Sequence, residues 1–406
     1  MSHDQRDASL LEQTRLTMDG AQNRIFAIGA AMAVIGFGAS YVLGWGDEES
    51  KKHFWFAYLM NYMWVLSLAL GALWFVPLQH LTRSSWSTVV RRIAEIVSGA
   101  IPILGLLAIP LLLNLDQVYH WTDTEHMLHD PLTRHKAAFM SSQWFIIRVA
   151  IYFVIWSTLA MLFRRWSLKQ DETGDVGYSF KSERLAGPAL IIYGLTQTLA
   201  GFDFMMSLDV HWFSTMLGVY WFSGIVVSFF ALMTLVTLGL QRSGRLHNIV
   251  TIEHYNDYGR AMFAFTFFWA YIAFSQWMLI WYANIPEETG WFLRRQSNGW
   301  DMVGYALIVF HWLLPFMGLM SRFTKRRIPL LAFWAAWILV MHWVDMFWLI
   351  MPELSPGGVP IQPVDLTLWV GMAGVLMATM ARVAGNKSLI CHRDPRLVES
   401  LNFENY

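Results

Sequence analysis

The sequence predicts an all-α integral membrane protein, and three observations lead to this prediction. Hydrophobic residues make up 56% of the chain and charged residues only 14%. Ten apolar stretches each reach the roughly 20 residues that a helix needs to cross a hydrocarbon core about 30 Å thick. The basic residues also concentrate in alternate connections between these stretches, as the positive-inside rule requires of a multi-pass protein. We therefore predict about ten transmembrane helices.

The predicted helices are labelled α1 to α10 in chain order. They cover residues 25–44, 54–78, 93–115, 139–163, 185–206, 212–240, 258–283, 300–320, 328–350 and 364–384. We predict a cytoplasmic N-terminal tail over 1–23, a ten-helix membrane domain over 24–384, and a cytoplasmic C-terminal tail over 385–406. The connections are short, which predicts a single bundle.

The orientation follows from the charges of the connections. On the side that contains both termini, the tails and alternate loops hold 22 of the 29 basic residues. Basic loops stay on the cytoplasmic side, so both termini are predicted to be cytoplasmic. Acidic and basic residues cancel over the chain, and this balance predicts no nucleic-acid partner.

Several helices carry features of their own. The first 20 residues are polar and precede α1, which begins the membrane domain after them. Pro102 and Pro110 interrupt α3, and Pro188 lies at the start of α5. Asp257 precedes the predicted α7 and suits its N-cap. The turn between α8 and α9 is short, which predicts an antiparallel hairpin.

Ionisable residues inside spans indicate function by default, because they are costly in lipid. Most of them fall in the outer halves of the helices, away from the side of the membrane that contains both chain termini. The candidates for a proton path or a quinone site are Arg148, Asp203, Asp209, His211, His311, His342 and Asp345. For Arg148 we predict an ion pair with Asp203 or a nearby carboxylate, in a mainly structural role.

His311, His342 and Asp345 form the most informative set. At 1.5 Å per residue, His311 lies about 16 Å and His342 about 12 Å below the outer surface, on neighbouring helices. His342 and Asp345 are three residues apart and share a helix face. A carboxylate beside an imidazole suits proton transfer during quinol oxidation or a proton relay. Interhelical hydrogen bonding and b-type haem between the two histidines remain open as alternatives.

Covalent cofactors have little support in the sequence. The single cysteine, Cys391, holds neither an iron–sulfur cluster nor a disulfide, and no c-type haem motif occurs. The histidines of the outer segment 116–138 have a spacing that fits no common metal site. We predict no metal there and a solvated loop that faces a partner. Any redox centre is then a diffusible one, a non-covalent haem, or one held by a neighbouring subunit.

Four sequence blocks resemble the NrfD/polysulfide reductase family of membrane subunits, and in particular the shorter of the two such subunits of alternative complex III. The first block runs from Asp203 to Thr215 and contains Asp209 and His211. The others are His254-Tyr-Asn-Asp257-Tyr-Gly-Arg260, the stretch 274–288 closed by Arg294 and Arg295, and 343–352. The four blocks lie between Asp203 and Pro352, and the resemblance is taken to extend over nearly the whole chain.

The resemblance implies a pair of four-helix bundles with flanking helices and no cofactor of its own. It implies a cofactor-free subunit of a quinol:cytochrome c or quinol:oxidase oxidoreductase in the bacterial inner membrane, with quinol or quinone as a diffusible ligand. The implied partners are a second NrfD-type subunit, an iron–sulfur protein, a multihaem cytochrome c, lipids and a terminal oxidase. Haem and iron–sulfur centres are expected on these partners.

A cytoplasmic proton entrance is a further expectation, and it would be formed by Glu253, His254, Asp257 and Arg260. A solvated helix start is the alternative for that set, and a secondary proton or ion transporter is the alternative for the whole chain.

Overall fold

The structure is a computed structural model, and it describes residue 11, residues 14–129 and residues 133–405. The chain is 78% helical, and no strand forms within these described ranges. Among the described residues, ten helices are long and apolar enough to cross a membrane. The prediction of an all-α integral membrane protein with ten spans is therefore confirmed.

Each predicted span corresponds to one helical segment. The bounds are α1 Ala21–Gly44, α2 Glu48–Leu81, α3 Thr88–Leu112, α4 Ser142–Thr173, α5 Gly177–Phe204, α6 Met216–Arg242, α7 Ile252–Ala283, α8 Trp300–Met320, α9 Ile328–Leu354 and α10 Pro363–Ala384. Short helices lie at Thr124–His129, Pro286–Arg294, Arg322–Arg326 and Leu397–Leu401. We call the end with the first residue of α1 and the last residue of α10 the basic end, and the other the opposite end.

Several helices continue beyond their apolar stretches. A helix satisfies its own backbone groups, so it extends as far as its caps allow. At the start of α7 the Thr251 hydroxyl accepts from the Glu253 amide at 3.3 Å, and the His254 ring accepts from the Thr251 amide at 3.1 Å. This cap starts the helix at Ile252. The expectation that Asp257 is the N-cap was therefore wrong, because Asp257 lies inside the helix.

Two spans are interrupted, and proline accounts for the position of each break. In α3 the helix divides into Thr88–Ser98 and Ile101–Leu112. Pro102 occupies the second position of the second piece, where its missing amide proton costs nothing. In α8 a π-helical stretch, Leu307–Leu313, separates two α-helical pieces.

The helices pack as two four-helix bundles. Bundle one contains α2 to α5, with α2 against α3 and α5 and with α4 against both of those helices. Bundle two contains α6 to α9, with α6 against α7 and α9 and with α8 against both of those helices. Helix α2 also packs on α6, α9 and α10, and 94% of its apolar window is buried. Helix α2 is therefore the common core of the molecule.

Helices α1 and α10 form a flanking pair. A Cβ atom on Gly36 would lie 2.4 Å from the backbone nitrogen of Gly371, and one on Gly374 would lie 2.6 Å from that of Ala33. Only glycine allows two membrane helices to approach so closely. Only 17% of the apolar stretch of α1 is buried within the protein. Helix α10 supplies most of the contacts that hold α1.

The outer segment 116–138 differs from the predicted solvated loop. Its described residues form short helical turns that fold back onto bundle one. Tyr119, Trp121 and Met127 are buried, and the Tyr119 hydroxyl donates to the Phe204 carbonyl at 3.0 Å. The predicted loop is therefore solvated only in part: Asp116, Glu125 and His135 are exposed, whereas apolar side chains spaced among them pack against the helix ends. Residues 130–132 lie outside the described residues.

The tails are ordered against the basic end where the structure describes them. Residues 1–10, 12 and 13 of the predicted N-terminal tail lie outside the described residues. Residues 385–405 run beneath both bundles, and we call this segment the strap. Cys391 lies within the strap and is buried, and burial raises the pKa of its thiol.

Candidate functional site

Six side chains from five helices meet inside the protein, and we call them the central cluster. They are Ser67 of α2, Tyr220 of α6, Trp269 of α7, His311 of α8, and His342 and Asp345 of α9. All six are buried. Tyr220 lies one turn into α6, so the cluster is closer to the opposite end than to the basic end.

Asp345 is held by two neutral donors. The Tyr220 hydroxyl donates to Asp345 Oδ1, and the Trp269 indole N–H donates to Asp345 Oδ2 at 3.2 Å. No arginine or lysine within the described ranges pairs with Asp345. A buried carboxyl group with neutral donors can hold or release a proton, whereas a carboxylate paired with arginine stays ionised.

The neighbouring imidazole has a defined tautomer. The Ser67 hydroxyl donates to the Trp64 carbonyl at 2.6 Å, so it accepts from His342 Nε2, which lies 2.8 Å away. Nδ1 is then the acceptor of the ring. Nδ1 lies 4.0 Å from Asp345 Oδ2, and a shift of about 1 Å would bring the two within hydrogen-bond distance. The pair can therefore exchange a proton after a small side-chain movement.

Gly224 of α6 makes room for this pair. A Cβ atom at this position would lie 2.9 Å from His342 Cε1, 3.1 Å from His342 Nδ1 and 3.8 Å from Asp345 Oδ2. The first distance is shorter than Cβ contacts in real proteins, and the second is tighter than nine in ten of them. Any other residue would push the imidazole out of its position, so this glycine is part of the site.

His311 lies in the π-helical stretch of α8. Pro315 follows four residues later, and its ring removes the hydrogen bond to the His311 carbonyl and crowds that oxygen. The wider π turn relieves this conflict, and such turns are frequent at functional sites. The His311 ring packs edge-on against Trp269, with centroids 4.4 Å apart, and neither ring nitrogen has a hydrogen-bond partner among the described residues.

Other buried polar atoms lie along bundle two between the basic end and the central cluster. The side chains of Asn256 and Thr266 are on the buried face of α7. Their polar atoms, together with His254 Nε2, find no hydrogen-bond partner within the described part of the chain. Buried groups of this kind normally bind ordered water. We call His254, Asn256 and Thr266 the polar row; other buried polar side chains, Thr234 and Thr237 of α6 among them, lie in the same bundle.

The predicted entrance residues lie at the basic end of this row. Glu253 forms a bidentate ion pair with Arg326, one of whose nitrogens lies 3.0 Å from Glu253 Oε2. His254 is fully buried, while Asp257 and Arg260 pair with each other at 3.1 Å. The four residues are thus neighbours, but strap residues cover two of them.

A second polar site lies at the opposite end, in bundle one. Arg148 of α4 binds both oxygens of Asp203 of α5, at 2.7 to 3.1 Å, and the Tyr152 hydroxyl donates to Asp203 Oδ2 at 2.7 Å. Arg148 also donates to the Phe139 carbonyl at 2.8 Å and lies over the Phe139 ring. The predicted Arg148–Asp203 pair is confirmed, and it joins α4, α5 and the segment before α4.

A cavity of about 250 Å³ opens beside this pair. Its walls are mainly aromatic, with Trp121, Phe145 and Phe213 among them, and its polar side chains include Lys136 and Asp209. Burial lowers the pKa of Lys136, although Asp209 opposes this effect. His211 lies outside this cavity and lines a smaller one of about 190 Å³, which it shares with Asp209.

Asp209 is fixed by charge as well as by its turn. Its Oδ1 accepts the His211 amide at 3.0 Å, and Arg294 donates to its Oδ2. Burial lowers the pKa of Arg294, but Glu353 and Asp209 raise it, and the net pKa lies above the usual value. Arg294 therefore stays charged and ties the turn before α6 to the end of α9. This ion-pair network favours a positioning role for Asp209.

The sequence analysis found the acid and both imidazoles of the central cluster but not their partners. Tyr220, Trp269 and Ser67 are ordinary residues of apolar helices, and only the fold brings them to Asp345 and His342. It also missed His53 and Asp365, a buried pair 2.9 Å apart that joins α2 to the start of α10. Both residues are ionisable and lie at the ends of predicted spans, so the sequence contained a signal that could have identified them.

Comparisons with known proteins do not identify this chain. A scan against protein-family models and a search of curated proteins both found no match to this chain. The geometry therefore defines the chain as a multi-pass membrane protein with two four-helix bundles and a buried acid–imidazole cluster.

Proposed function

We propose that this chain is a cofactor-free membrane subunit of a respiratory quinol oxidoreductase, which passes electrons to cytochrome c or to an oxidase. In this proposal the central cluster moves protons that accompany quinol oxidation. The observation that carries the proposal is the arrangement of Asp345 and His342: a buried carboxyl group without a cationic partner, next to an imidazole whose free acceptor nitrogen faces it. His342 Nδ1 has no hydrogen-bond partner among the described residues, and a purely structural contact would gain nothing from leaving it unpaired, since unpaired buried polar groups are costly.

The surroundings of the cluster support a relay rather than an isolated pair. His311 adds a second imidazole with two free nitrogens, and the row through Thr266 and Asn256 leads towards Glu253 at the basic end. Protons move along such rows through hydrogen-bonded water and titratable side chains. In the proposal, Glu253 and His254 receive the proton at the basic end. Asp345, His342 and His311 then carry it further into the membrane.

The cavity beside Arg148 and Asp203 gives the proposal a place for a diffusible ligand. Its aromatic walls suit a flat ring, and its polar side chains lie at one side. In the proposal, a quinol or quinone head approaches at this opposite end, while the central cluster handles protons. The basic end faces the cytoplasm of a bacterium, as the positive-inside rule requires, and the protein resides in the inner membrane.

The b-haem alternative receives no support from the packing. His342 Nε2 is engaged by Ser67, and the ring lies against Gly224, where even a methyl group would clash. A haem ligated by His342 would need a porphyrin-sized gap beside this ring, and the contact with Gly224 leaves none on that side. Stand-alone proton or ion transport would use the same buried residues, and only the partners distinguish it from the proposal.

The deciding experiment is purification of the tagged chain from its native membrane in mild detergent, followed by mass spectrometry of the proteins that copurify. We expect a second NrfD-type subunit, an iron–sulfur protein and a multihaem cytochrome c. The control is an unrelated tagged multi-pass protein from the same membrane. A chain that purifies alone, under conditions that keep other respiratory complexes intact, would overturn the proposal and favour transport.

A further inference from the structure

The final part of the strap crosses the basic end of bundle two. The short helix Leu397–Leu401 anchors it, because the Ser400 hydroxyl donates to the Trp86 carbonyl at 2.9 Å and accepts from the Val89 amide at 3.3 Å. Ser400 is fully buried. Residues 402–405 then continue without regular structure to the first turn of α7.

These last residues cover the side chains at the end of the polar row. The Phe403 ring lies 5.7 Å from the His254 ring, and Asn405 donates to the Glu253 side chain at 3.3 Å and to the Glu253 carbonyl at 3.2 Å. As a result His254 is fully buried and Glu253 is only 9% exposed. These contacts cover Glu253 directly, while His254 also lies against the backbone of Trp86 and Ser400.

The covering contacts are weaker than the anchor. Asn405 is held by hydrogen bonds from Arg260 and, at 3.1 Å, from Arg322, and both bonds lie at the exposed surface. Exposed hydrogen bonds exchange with water at little net cost, and the two bonds from Asn405 to Glu253 are only partly buried, so this end of the strap is of the kind that opens locally while the rest of the fold stays intact. The strap can therefore release residues 402–405 without disturbing Ser400.

We propose that residues 402–405 form a lid over Glu253 and His254, which must open before these side chains exchange protons with water at the basic end. The structure describes the closed position of this lid. The covering itself does not depend on the proposed respiratory role, whereas its effect on proton movement rests on the proposed function.

The test measures how well water reaches Glu253 in the full chain. A water-soluble carbodiimide with a small amine converts accessible carboxylates to amides, and mass spectrometry quantifies the labelled fraction at each position. We would compare the wild-type chain with the double variant Phe403→Ala/Asn405→Ala. Lys387→Ala is the matched control, because Lys387 belongs to the same strap but its side-chain nitrogen pairs with the distant Glu172, at 3.3 Å. Exposed Glu48 normalises the labelling, and buried Glu95 reports unfolding.

We expect labelling of Glu253 to rise by about fivefold or more in the double variant, with Glu95 and the Lys387→Ala control unchanged. Equal labelling of Glu253 in all three chains would overturn the lid. If Glu95 also labels, the double variant has unfolded, and Asn405→Ala alone then decides, since it keeps Phe403 but removes the hydrogen bonds of the Asn405 side chain to the Glu253 carbonyl and from Arg260. Proton uptake by proteoliposomes separates the two proposals: increased labelling with unchanged proton uptake leaves the lid in place and contradicts the proposed entrance.

Discussion

At the scale of single residues, Asp345 is the group on which the proposed proton transfer depends most. Asp345→Asn keeps an oxygen that accepts from Tyr220 or Trp269, but it removes the titratable group. Removing a group that transfers protons typically lowers rates by about 100-fold or more. We expect quinol turnover or its coupled proton movement to fall at least about tenfold, with assembly intact, as measured on the purified complex.

Asp365→Asn is the matched control for that variant. Asp365 is equally buried but belongs to the His53 pair at the start of α10, where it also accepts the Gln362 amide at 2.9 Å. This substitution should lower thermal stability and leave proton movement per assembled complex unchanged. Normal coupling in Asp345→Asn would remove Asp345 and its cluster from the proton path.

Gly224 provides a second residue-scale prediction. Gly224→Ala places a Cβ atom 2.9 Å from His342 Cε1, so the imidazole must move away from Ser67 or Asp345. Overpacking of this kind costs about 1–3 kcal/mol. We expect lower thermal stability and a loss of turnover similar to that of His342→Ala, measured on the same preparations.

Gly239, also on α6, offers the control for this change, because a Cβ atom there meets no other atom within 4 Å. Replacing a helical glycine by alanine at an open position stabilises by about 0.5–1 kcal/mol. Gly239→Ala should therefore be neutral or stabilising. Equal effects of the two substitutions would mean that the space beside His342 is not critical.

At the scale of elements, the flanking pair of α1 and α10 depends on backbone contact between glycines. In Gly36→Ala the new Cβ atom would lie 2.4 Å from the Gly371 nitrogen, so the helices must separate. In Gly38→Ala it would meet nothing within 4 Å. We expect the first variant to lose about 1–3 kcal/mol and to expose α1 to limited proteolysis, and the second to behave as wild type. Identical protease patterns would contradict this tight packing.

The Arg148–Asp203 pair links α4 to α5 and to the segment before α4. Arg148→Ala leaves Asp203 buried with only the Tyr152 hydroxyl as a side-chain donor, and such a loss costs about 3–5 kcal/mol. We expect lower yield of assembled protein, measured by size-exclusion chromatography with fluorescence detection. Arg148→Ala combined with Asp203→Asn should restore part of the yield, because no buried charge remains. Full assembly with lost turnover would give Arg148 a functional role in place of the structural one.

The sequence predicted the elements better than their interiors, for a physical reason. Each span follows from a local run of apolar residues, which lipid requires whatever the neighbours are. The partners of Asp345 come from α6 and α7, and no local pattern specifies which of the many aromatic residues will reach it. The π-helical turn at His311 was in principle readable, since Pro315 lies four residues further on, whereas the burial of Tyr119 and Trp121 depended on contacts made by distant helix ends.

At the scale of the whole molecule, the strap unites the two bundles at the basic end. Arg91 of α3 donates to Asp394 of the strap, and Arg396 donates to Glu183 of α5 at 2.5 Å. Further along the same segment, Asn405 contacts Glu253 of α7. The strap thus connects helices that otherwise belong to separate bundles, and its attachment should influence the stability of the whole chain.

Asp394 makes this attachment dependent on pH. Burial raises the pKa of Asp394, but the charge of Arg91 and the hydrogen bonds to the carboxylate lower it more, so its net pKa lies below the usual 3.8. Because the pKa in the folded chain is below the unfolded value, the stabilisation is fully present above about pH 4 and is lost as the pH falls through the folded pKa. We expect Asp394→Asn to lower the thermal midpoint by the same amount at every pH from 5 to 7 and to differ progressively less from wild type in more acidic buffer. Lys387→Ala, which breaks an exposed pair in the same strap, should change little throughout. A wild-type advantage that persists undiminished in strongly acidic buffer would show that the Asp394 carboxylate does not hold the strap.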